Sequence, residues 1–413
     1  MIDTGGAGDN RKNDVARILI HDYSGHAFTV GLARWLAEQG IETHYWYSQG
    51  VESPRGNLQR QPGDAPGFHI RGVGHQSLNK YSLVQRIRQE AQYGRLIAIE
   101  AVALAPDVVL SNAPPQIQAK LRKAVSHQGG AFIFWMQDIY SLALRHLLRR
   151  KWPFADRFLG PLSHRFENNE LRRSDAVVCI SEEFRNYCLT HGMSMERCVV
   201  IENWAALKEI PALPKENAWA VAHGLDRKFV FLFSGTLGLK HNPELFVALA
   251  QSLRDVPDAA CVVVSQGAGR QKLEMRKAEL GLTNLHLFDY QHYADFPQVL
   301  ATGDVLMAIL EPFASELSVP SKVLAYFCAA RPLLTAIPES NHSARLVRRS
   351  GAGIVLAPGD DAGFLRAART LMEDHDARLL HSAAARRYAE ETFDIDRIGA
   401  RYLALFQSSR RSP

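Results

Sequence analysis

Two short segments in the second half of the chain combine small residues with a lysine, and these are residue types that bind phosphate groups. The first is SGTLG at 234–238 followed by Lys240, directly after the apolar run 229–233. The second is PSK at 320–322, which opens a predicted helix. Small residues let the backbone approach an anion, helix N-termini carry partial positive charge, and each lysine adds a full charge. Together the two segments predict a site that binds one diphosphate.

The position of Lys322 favours this interpretation. A lysine in the first turn of a helix opposes the helix dipole, and a bound anion would reverse that penalty. The alternative is a surface lysine whose charge reaches solvent. Segment 234–240 has neither Walker-loop nor dinucleotide-fingerprint spacing, and a glycine pair after a strand is by itself usually part of a turn. Lys240 and the helix start at Asn242 and Pro243 favour a phosphate site.

Residues of the first half are candidates for the same site. His26 follows Gly25 in a predicted loop after the first strand, where it could contact a substrate or simply be solvated. Asp138 follows the apolar run 131–136 and could lie at the edge of a cleft or cap a helix. The sequence DID at 394–396 is similar to a metal-binding DxD motif, but it opens a predicted helix, where aspartates act as caps. No acidic cluster indicates a metal site, and we expect no metal or other cofactor.

Strand and helix patterns alternate along most of the chain, which predicts an α/β fold of two doubly wound, Rossmann-like parallel-sheet domains. The alternation stops where Pro211 and Pro214 indicate a linker. Ligands of such folds bind at the carboxyl ends of the strands, so the domains would face each other across a cleft. The predicted divisions are a loose tail at 1–14, a first domain at 15–205, a linker at 206–226, a second domain at 227–390 and a helix at 391–413 that crosses back to the first domain.

The composition is that of a soluble globular protein, with 46% hydrophobic and 22% charged residues. A net charge of +5 is too small to indicate nucleic acid, and no partner of that kind is expected. We find neither a signal peptide nor a membrane-spanning apolar run, so we expect a cytoplasmic protein. The segment 145–173 is rich in arginine and aromatic residues. It could rest on an anionic membrane surface, or it could be a solvated helix face whose arginine stems cover apolar surface.

The order and spacing of the motifs resemble the retaining glycosyltransferases of family four, in particular the bacterial members that build exopolysaccharide, O-antigen or colanic acid. The resemblance runs from Ala16 to about Phe406. The motifs that carry it are DYSGH at 22–26, GTLGLK at 235–240, GAGR at 267–270, FDY at 288–290, VPSKV at 319–323 and ARPL at 330–333.

This resemblance implies the GT-B fold and transfer of a sugar from a nucleoside-diphosphate donor to a hydroxyl of a glycan or lipid-linked glycan acceptor, with retention. The expected donor-binding residues are Ser234, Gly235, Thr236, Gly267, Arg270, Tyr290, Glu316 and Ser321. The expected catalytic residues are Lys240, Lys322, His26 and Asp138. Gly25 and His26 are expected to present the acceptor.

One family feature is missing. Many members carry two glutamates eight positions apart, and the second usually holds the ribose of the nucleotide. In this chain those positions are Leu317 and Ala325, and Glu316 is one residue out of register with the first. The nucleotide therefore stays open, as do two alternative functions: a nucleotide-sugar epimerase on the same fold, and a non-catalytic partner subunit.

Overall fold

The computed structural model describes residues 17–51, 55–74, 83–238, 240–315 and 319–410. The predicted tail at 1–14 and Glu316, a predicted donor-binding residue, lie outside the described residues. The described chain forms two parallel sheets, each covered by helices on both faces, which confirms the predicted fold class.

The first sheet has seven strands in the order β3-β2-β1-β4-β5-β6-β7, all paired in parallel. Its central strands are continuous buried apolar runs, as expected where helices cover both faces. The strands are β1 (Arg17–Asp22), β2 (Glu42–Ser48), β3 (Phe68–Val73), β4 (Val108–Ser111), β5 (Ala131–Met136), β6 (Ala176–Cys179) and β7 (Cys198–Val200). The helices are α1 (Ala27–Glu38), α2 (Leu83–Leu104), α3 (Pro115–His127), α4 (Tyr140–Lys151), α5 (Pro153–Arg173) and α6 (Glu182–Thr190).

The second sheet repeats this topology with six strands in the order β10-β9-β8-β11-β12-β13. Its strands are β8 (Phe229–Ser234), β9 (Ala259–Val264), β10 (Leu285–Phe288), β11 (Val305–Ile309), β12 (Leu333–Ala336) and β13 (Gly353–Leu356). The helices are α7 (Ala218–Ala222), α8 (Glu244–Ser252), α9 (Ala268–Leu280), α10 (Phe296–Thr302), α11 (Lys322–Cys328), α12 (His342–Ser350), α13 (Asp361–Glu373), α14 (His375–Thr392) and α15 (Ile395–Ser409). None of the helices in the described ranges has the length and hydropathy to cross a membrane.

The segment predicted as a linker, 206–226, is partly ordered by packing on the second domain. It contains α7, which contacts α10. Asn217 caps α7 by accepting the Ala220 N–H at 3.0 Å, and its own amide donates to the Gln298 carbonyl at 3.1 Å. This cap joins the start of the second domain to α10.

The last helix, α15, packs on α1 of the first domain. The Trp35 indole N–H donates to Asp396 at 2.7 Å, and a Cβ on Gly399 would lie 2.3 Å from the Trp35 ring. Asp394 caps α15 by accepting the backbone N–H of Asp396 at 2.9 Å. The aspartates of the DxD-like sequence therefore cap this helix and fix it on the first domain.

We predict that Gly399→Ala destabilises the protein, because the added methyl group has no space beside the Trp35 ring. Overpacking of this kind costs about 1–3 kcal/mol. Gly31→Ala is the matched control, since a Cβ at that position of α1 meets nothing within 4 Å. The control should be neutral or slightly stabilising. Thermal unfolding of the two variants and the parent measures the difference, and equal stabilities would contradict this packing.

Candidate active site

A cavity of about 640 Å³ lies between the two domains, at the carboxyl ends of both sheets. Tyr23 and Asn112, which follow β1 and β4, line it on one side. Ser234 and Leu310, at the ends of β8 and β11, line it on the other. The strand order reverses between β1 and β4 in the first sheet and between β8 and β11 in the second, and folds of this kind bind ligands at such a reversal. The ligand-binding positions of both sheets therefore open onto one cavity.

On the first domain, a buried carboxylate holds His26 at the cavity wall. Asp22, the last residue of β1, is completely buried. It accepts hydrogen bonds from Asn112 at 2.8 Å, from the Tyr45 hydroxyl at 2.8 Å, from the backbone N–H of His26 at 2.6 Å and from Thr29. The His26 Nδ1 lies 3.1 Å from the same carboxylate, and a third of the His26 side chain is exposed.

These contacts shift both pKa values. Burial raises the pKa of Asp22, but His26 and the hydrogen bonds outweigh burial and hold this pKa well below its usual range. Burial lowers the pKa of His26, but Asp22 and more distantly Asp138 outweigh it and raise this pKa. Asp22 was not predicted from sequence, although its place at the end of a strand, inside the DYSGH motif, was a usable signal.

Gly25 forms the turn that brings His26 to the cavity. Its φ of +77° lies in the left-handed region, and a Cβ would meet Leu58 at 2.9 Å. Gly25 also accepts the Gly56 N–H at 3.0 Å, which ties the turn to the neighbouring loop. It does not line the cavity itself, whereas His26 does.

On the second domain, the two predicted phosphate segments lie side by side. Tyr326 of α11 joins them: its hydroxyl accepts the Ser234 N–H at 3.0 Å and donates to the Ser234 carbonyl at 3.1 Å. Gly235 has a φ of +143°, and a Cβ there would lie 3.0 Å from Lys322 Cε. A side chain at Gly235 would press against the lysine that faces it and would have to adopt a φ that side-chain-bearing residues rarely adopt.

Lys240 and Lys322 both line this cavity but have different surroundings. Lys240 Nζ donates to Asp138 at 3.0 Å and so bridges the two domains. Lys322 Nζ is buried without a hydrogen-bond partner among the described residues and lies 3.7 Å from the centre of the Phe233 ring. Burial lowers the pKa of Lys322 to about 7. Because α11 has only seven residues, its N-terminus adds little partial positive charge, and the two lysines carry most of the positive charge on this side of the cavity.

The remaining donor-side predictions divide into two groups. Thr236, Tyr290 and Ser321 line the cavity, and the Thr236 and Tyr290 hydroxyls are 2.7 Å apart. Gly267 and Arg270 lie at the start of α9, outside the residues that line the cavity. Arg270 instead pairs with Glu274 at 2.8 Å. Contact of Gly267 and Arg270 with a nucleotide stays a prediction.

Several cavity residues were not predicted from sequence. Burial, followed by the charge of Lys322, lowers the pKa of His241 to about 3, so this imidazole is neutral. Its place directly after Lys240 was a usable signal. Gln137 and Asn203 pair through both amides, at 3.1 and 2.6 Å, on the first-domain wall. Ala325, one of the two positions at which the family resemblance implies a glutamate, also lines the cavity.

One group within the described ranges has metal-ligand geometry: Glu42, His44 and His69, whose ligand atoms lie within 4.8 Å of one another. These residues stand at the starts of β2 and β3, at the opposite edge of the sheet from the cavity. Glu42 is also paired with Arg17 at 2.8 Å. The group is therefore not part of the candidate active site.

Each of the two domains matches a known protein family. Residues 26–208 match the family described as Glycosyltransferase Family 4, and residues 228–374 match the family described as Glycosyl transferases group 1. These ranges contain the predicted catalytic residues of both domains.

Two curated relatives are similar to parts of the chain. The putative colanic acid biosynthesis glycosyl transferase WcaI of Escherichia coli (strain K12) is 26% identical over 246 residues, which are 58% of this chain and 59% of that protein. The probable glycosyltransferase WbjE of Pseudomonas aeruginosa is 27% identical over 194 residues, 47% of this chain and 48% of that protein. The chain thus spans about half to three fifths of these relatives.

Among solved structures, Anabaena HepE in complex with UDP-glucose is similar over the whole fold. The TM-score is 0.68 at 17% identity, with 95% of this chain and 99% of that chain covered. At this identity the similarity concerns the fold, which is GT-B. The first domain thus matches Glycosyltransferase Family 4 and the second matches Glycosyl transferases group 1, which confirms the predicted resemblance to the family-four glycosyltransferases.

Proposed function

We propose that the protein transfers a sugar from a nucleoside-diphosphate donor to a hydroxyl of a lipid-linked glycan, with retention, in the synthesis of a bacterial surface polysaccharide at the inner face of the cytoplasmic membrane. The observation that carries this proposal is that Lys240 and Lys322, from separate segments, line one cavity between the domains. The name of the curated relative WcaI, a putative colanic acid biosynthesis glycosyl transferase, supports polysaccharide synthesis as the process, and the HepE complex makes UDP-sugars the first donors to test.

The donor diphosphate would lie against Ser234, Gly235 and Thr236, between the two lysines. Lys322 is the cation without a described partner, so its ammonium group would gain most from the new negative charge. Lys240 would turn from Asp138 toward the phosphate. As the bond from the anomeric carbon to the phosphate oxygen breaks, both ammonium groups stabilise the leaving diphosphate. The lysines supply this charge, so the proposal includes no metal.

The acceptor hydroxyl would enter from the first-domain side, past His26. Asp22 favours the protonated form of His26, which suits it to donate a hydrogen bond to a sugar oxygen. We propose front-face attack, because no side chain among the described residues that line the cavity stands out as a covalent nucleophile. The acceptor oxygen forms the new bond to the anomeric carbon while its proton passes to the leaving phosphate oxygen. Closure of the two domains would exclude the water that hydrolyses the donor.

We predict that Lys240→Gln and Lys322→Met each lower kcat/KM for transfer by about 100-fold or more, because each removes a positive charge from the leaving diphosphate. Lys272→Gln is the matched control, since Lys272 is an exposed lysine of the same domain, paired with Glu244 and outside the cavity. The control should transfer at the parent rate. Initial rates on the best donor of a nucleotide-sugar panel measure these effects. Parent-like transfer by either cavity variant would refute that lysine's role.

We predict that affinity for the nucleoside diphosphate falls as the pH rises above 7. Burial sets the pKa of Lys322 at about 7, and a bound diphosphate raises it by favouring the charged amine. Below pH 7 the amine already holds its proton. Above pH 7 binding must take one up, so affinity falls by up to about tenfold per pH unit. Calorimetric titration in buffers of different ionisation enthalpy measures this uptake, which Lys322→Met should abolish. A constant affinity from pH 7 to 9 would contradict it.

The stereochemical part of the proposal needs its own measurement. NMR of the product made from an α-linked donor should show an α linkage, and an inverted linkage would refute retention.

Incubation of the donor alone separates the two alternative functions. Isomerised donor without any acceptor would identify an epimerase, whereas binding without turnover on any acceptor would identify a non-catalytic subunit.

A further inference from the structure

The helical hairpin α4–α5 of the first domain exposes a stripe of large apolar side chains. Phe154, Phe158, Leu162 and Phe166 follow one another at four-residue spacing along α5, which places them on one face of the helix. Phe154 is 90% exposed, Phe158 73% and Leu162 64%. Trp152 and Leu159 are exposed beside them. An apolar surface of this extent marks a contact site more often than a solvated face.

The charges of the hairpin are sorted in a way that favours an anionic partner. All three acidic residues of α5 are buried and have partners within the protein. Asp156 pairs with Arg149 at 2.8 Å, Glu170 pairs with Arg122 at 2.9 Å, and Glu167 accepts the backbone N–H groups of Tyr140 and Ser141 at 2.9 and 3.0 Å. The four arginines of α5 all lie on the exposed side: Arg157, Arg165, Arg172 and Arg173.

The hairpin also connects this surface to the cavity. Helix α4 begins at Tyr140, which lines the cavity two residues after Asp138, and its twelve residues extend for about 18 Å. Midway along α4 the His146 ring stacks on Phe313 of the second domain, with ring centres 3.8 Å apart. One rigid element therefore leads from the acceptor side of the cavity to the exposed stripe on α5.

We propose that the exposed face of α4–α5 docks on an anionic lipid bilayer. Phe154, Phe158 and Leu162 insert among the lipid headgroups, and Arg157 and Arg165 contact the anionic phosphates. A face on which apolar and arginine side chains alternate fits the headgroup boundary of such a bilayer, where apolar groups become buried and arginines contact anionic phosphates. A second copy of this chain fits less well, because a symmetric contact would bring the same arginines against each other. A docked α4–α5 would also bring a lipid-linked acceptor to the cavity along α4. That step rests on the proposed function, whereas the docking itself does not.

Sedimentation with vesicles tests the docking without any donor or acceptor. The full chain should bind vesicles of equal parts phosphatidylglycerol and phosphatidylcholine, and bind phosphatidylcholine vesicles far less. The variant F154A/F158A/L162A should lose at least about tenfold in partition, since each side chain buries apolar area in the headgroup region. The variant R157Q/R165Q should lose about fivefold per arginine, about 25-fold in total, on the anionic vesicles. Partition of the parent should fall as salt is added.

The matched control is L379A/L380A, which removes two exposed leucines of α14 on the second domain, 55% and 72% exposed. Its partition should equal that of the parent. Equal partition of F154A/F158A/L162A and the parent would overturn the proposal, as would a concentration-dependent dimer that this triple variant abolishes. Transfer to a short water-soluble acceptor should be unaffected by the triple variant. Loss of vesicle binding with normal soluble transfer would support docking, while docking without transfer to any acceptor would refute only the proposed function.

Discussion

The buried ammonium group of Lys322 is the constraint around which the second-domain side of the cavity is built. Among the described residues this group has no hydrogen-bond partner, and the cost of such a buried charge is expressed in its lowered pKa. The surroundings accommodate it in two ways: the Phe233 ring lies under the ammonium group, and Gly235 leaves the space that a side chain would fill. Tyr326 then holds the β8 end against α11 through two hydrogen bonds. A ligand with concentrated negative charge would convert this unfavourable arrangement into binding energy.

Opposite charges from the two domains meet in the cavity. Asp138 of the first domain and Lys240 of the second form an ion pair that links the domains. If a donor diphosphate takes Lys240 away from Asp138, donor binding and the relative position of the domains become linked. This is a physical route by which the donor could prepare the site for an acceptor.

Particular residues show how much of the candidate site the sequence alone could predict. Segments 234–240 and 320–322 stood out in the sequence because each combines small residues with a lysine at a predicted strand end or helix start, and the structure brings both to the cavity. Gly267 and Arg270 share those features, yet they lie outside the cavity lining, because a motif does not specify which way its helix faces. Asp22 was missed because a buried aspartate at the end of a strand looks like a turn residue until its partners assemble. Those partners include side chains far apart in the chain, Tyr45 and Asn112, as well as Thr29 and the backbone of His26.

The sequence by itself determined the local structure: apolar runs separated by amphipathic segments form strands and covering helices, and the N-caps Asn217 and Asp394 start helices α7 and α15. These outcomes depend on neighbours within a few residues. Only the tertiary structure decided that β8 lies beside β11, that the loops after them share a cavity with the loop after β1, and that the apolar stripe of α5 faces outward. Strand order, domain orientation and helix facing depend on contacts between residues far apart in the chain. No local pattern of apolar and polar residues encodes those contacts.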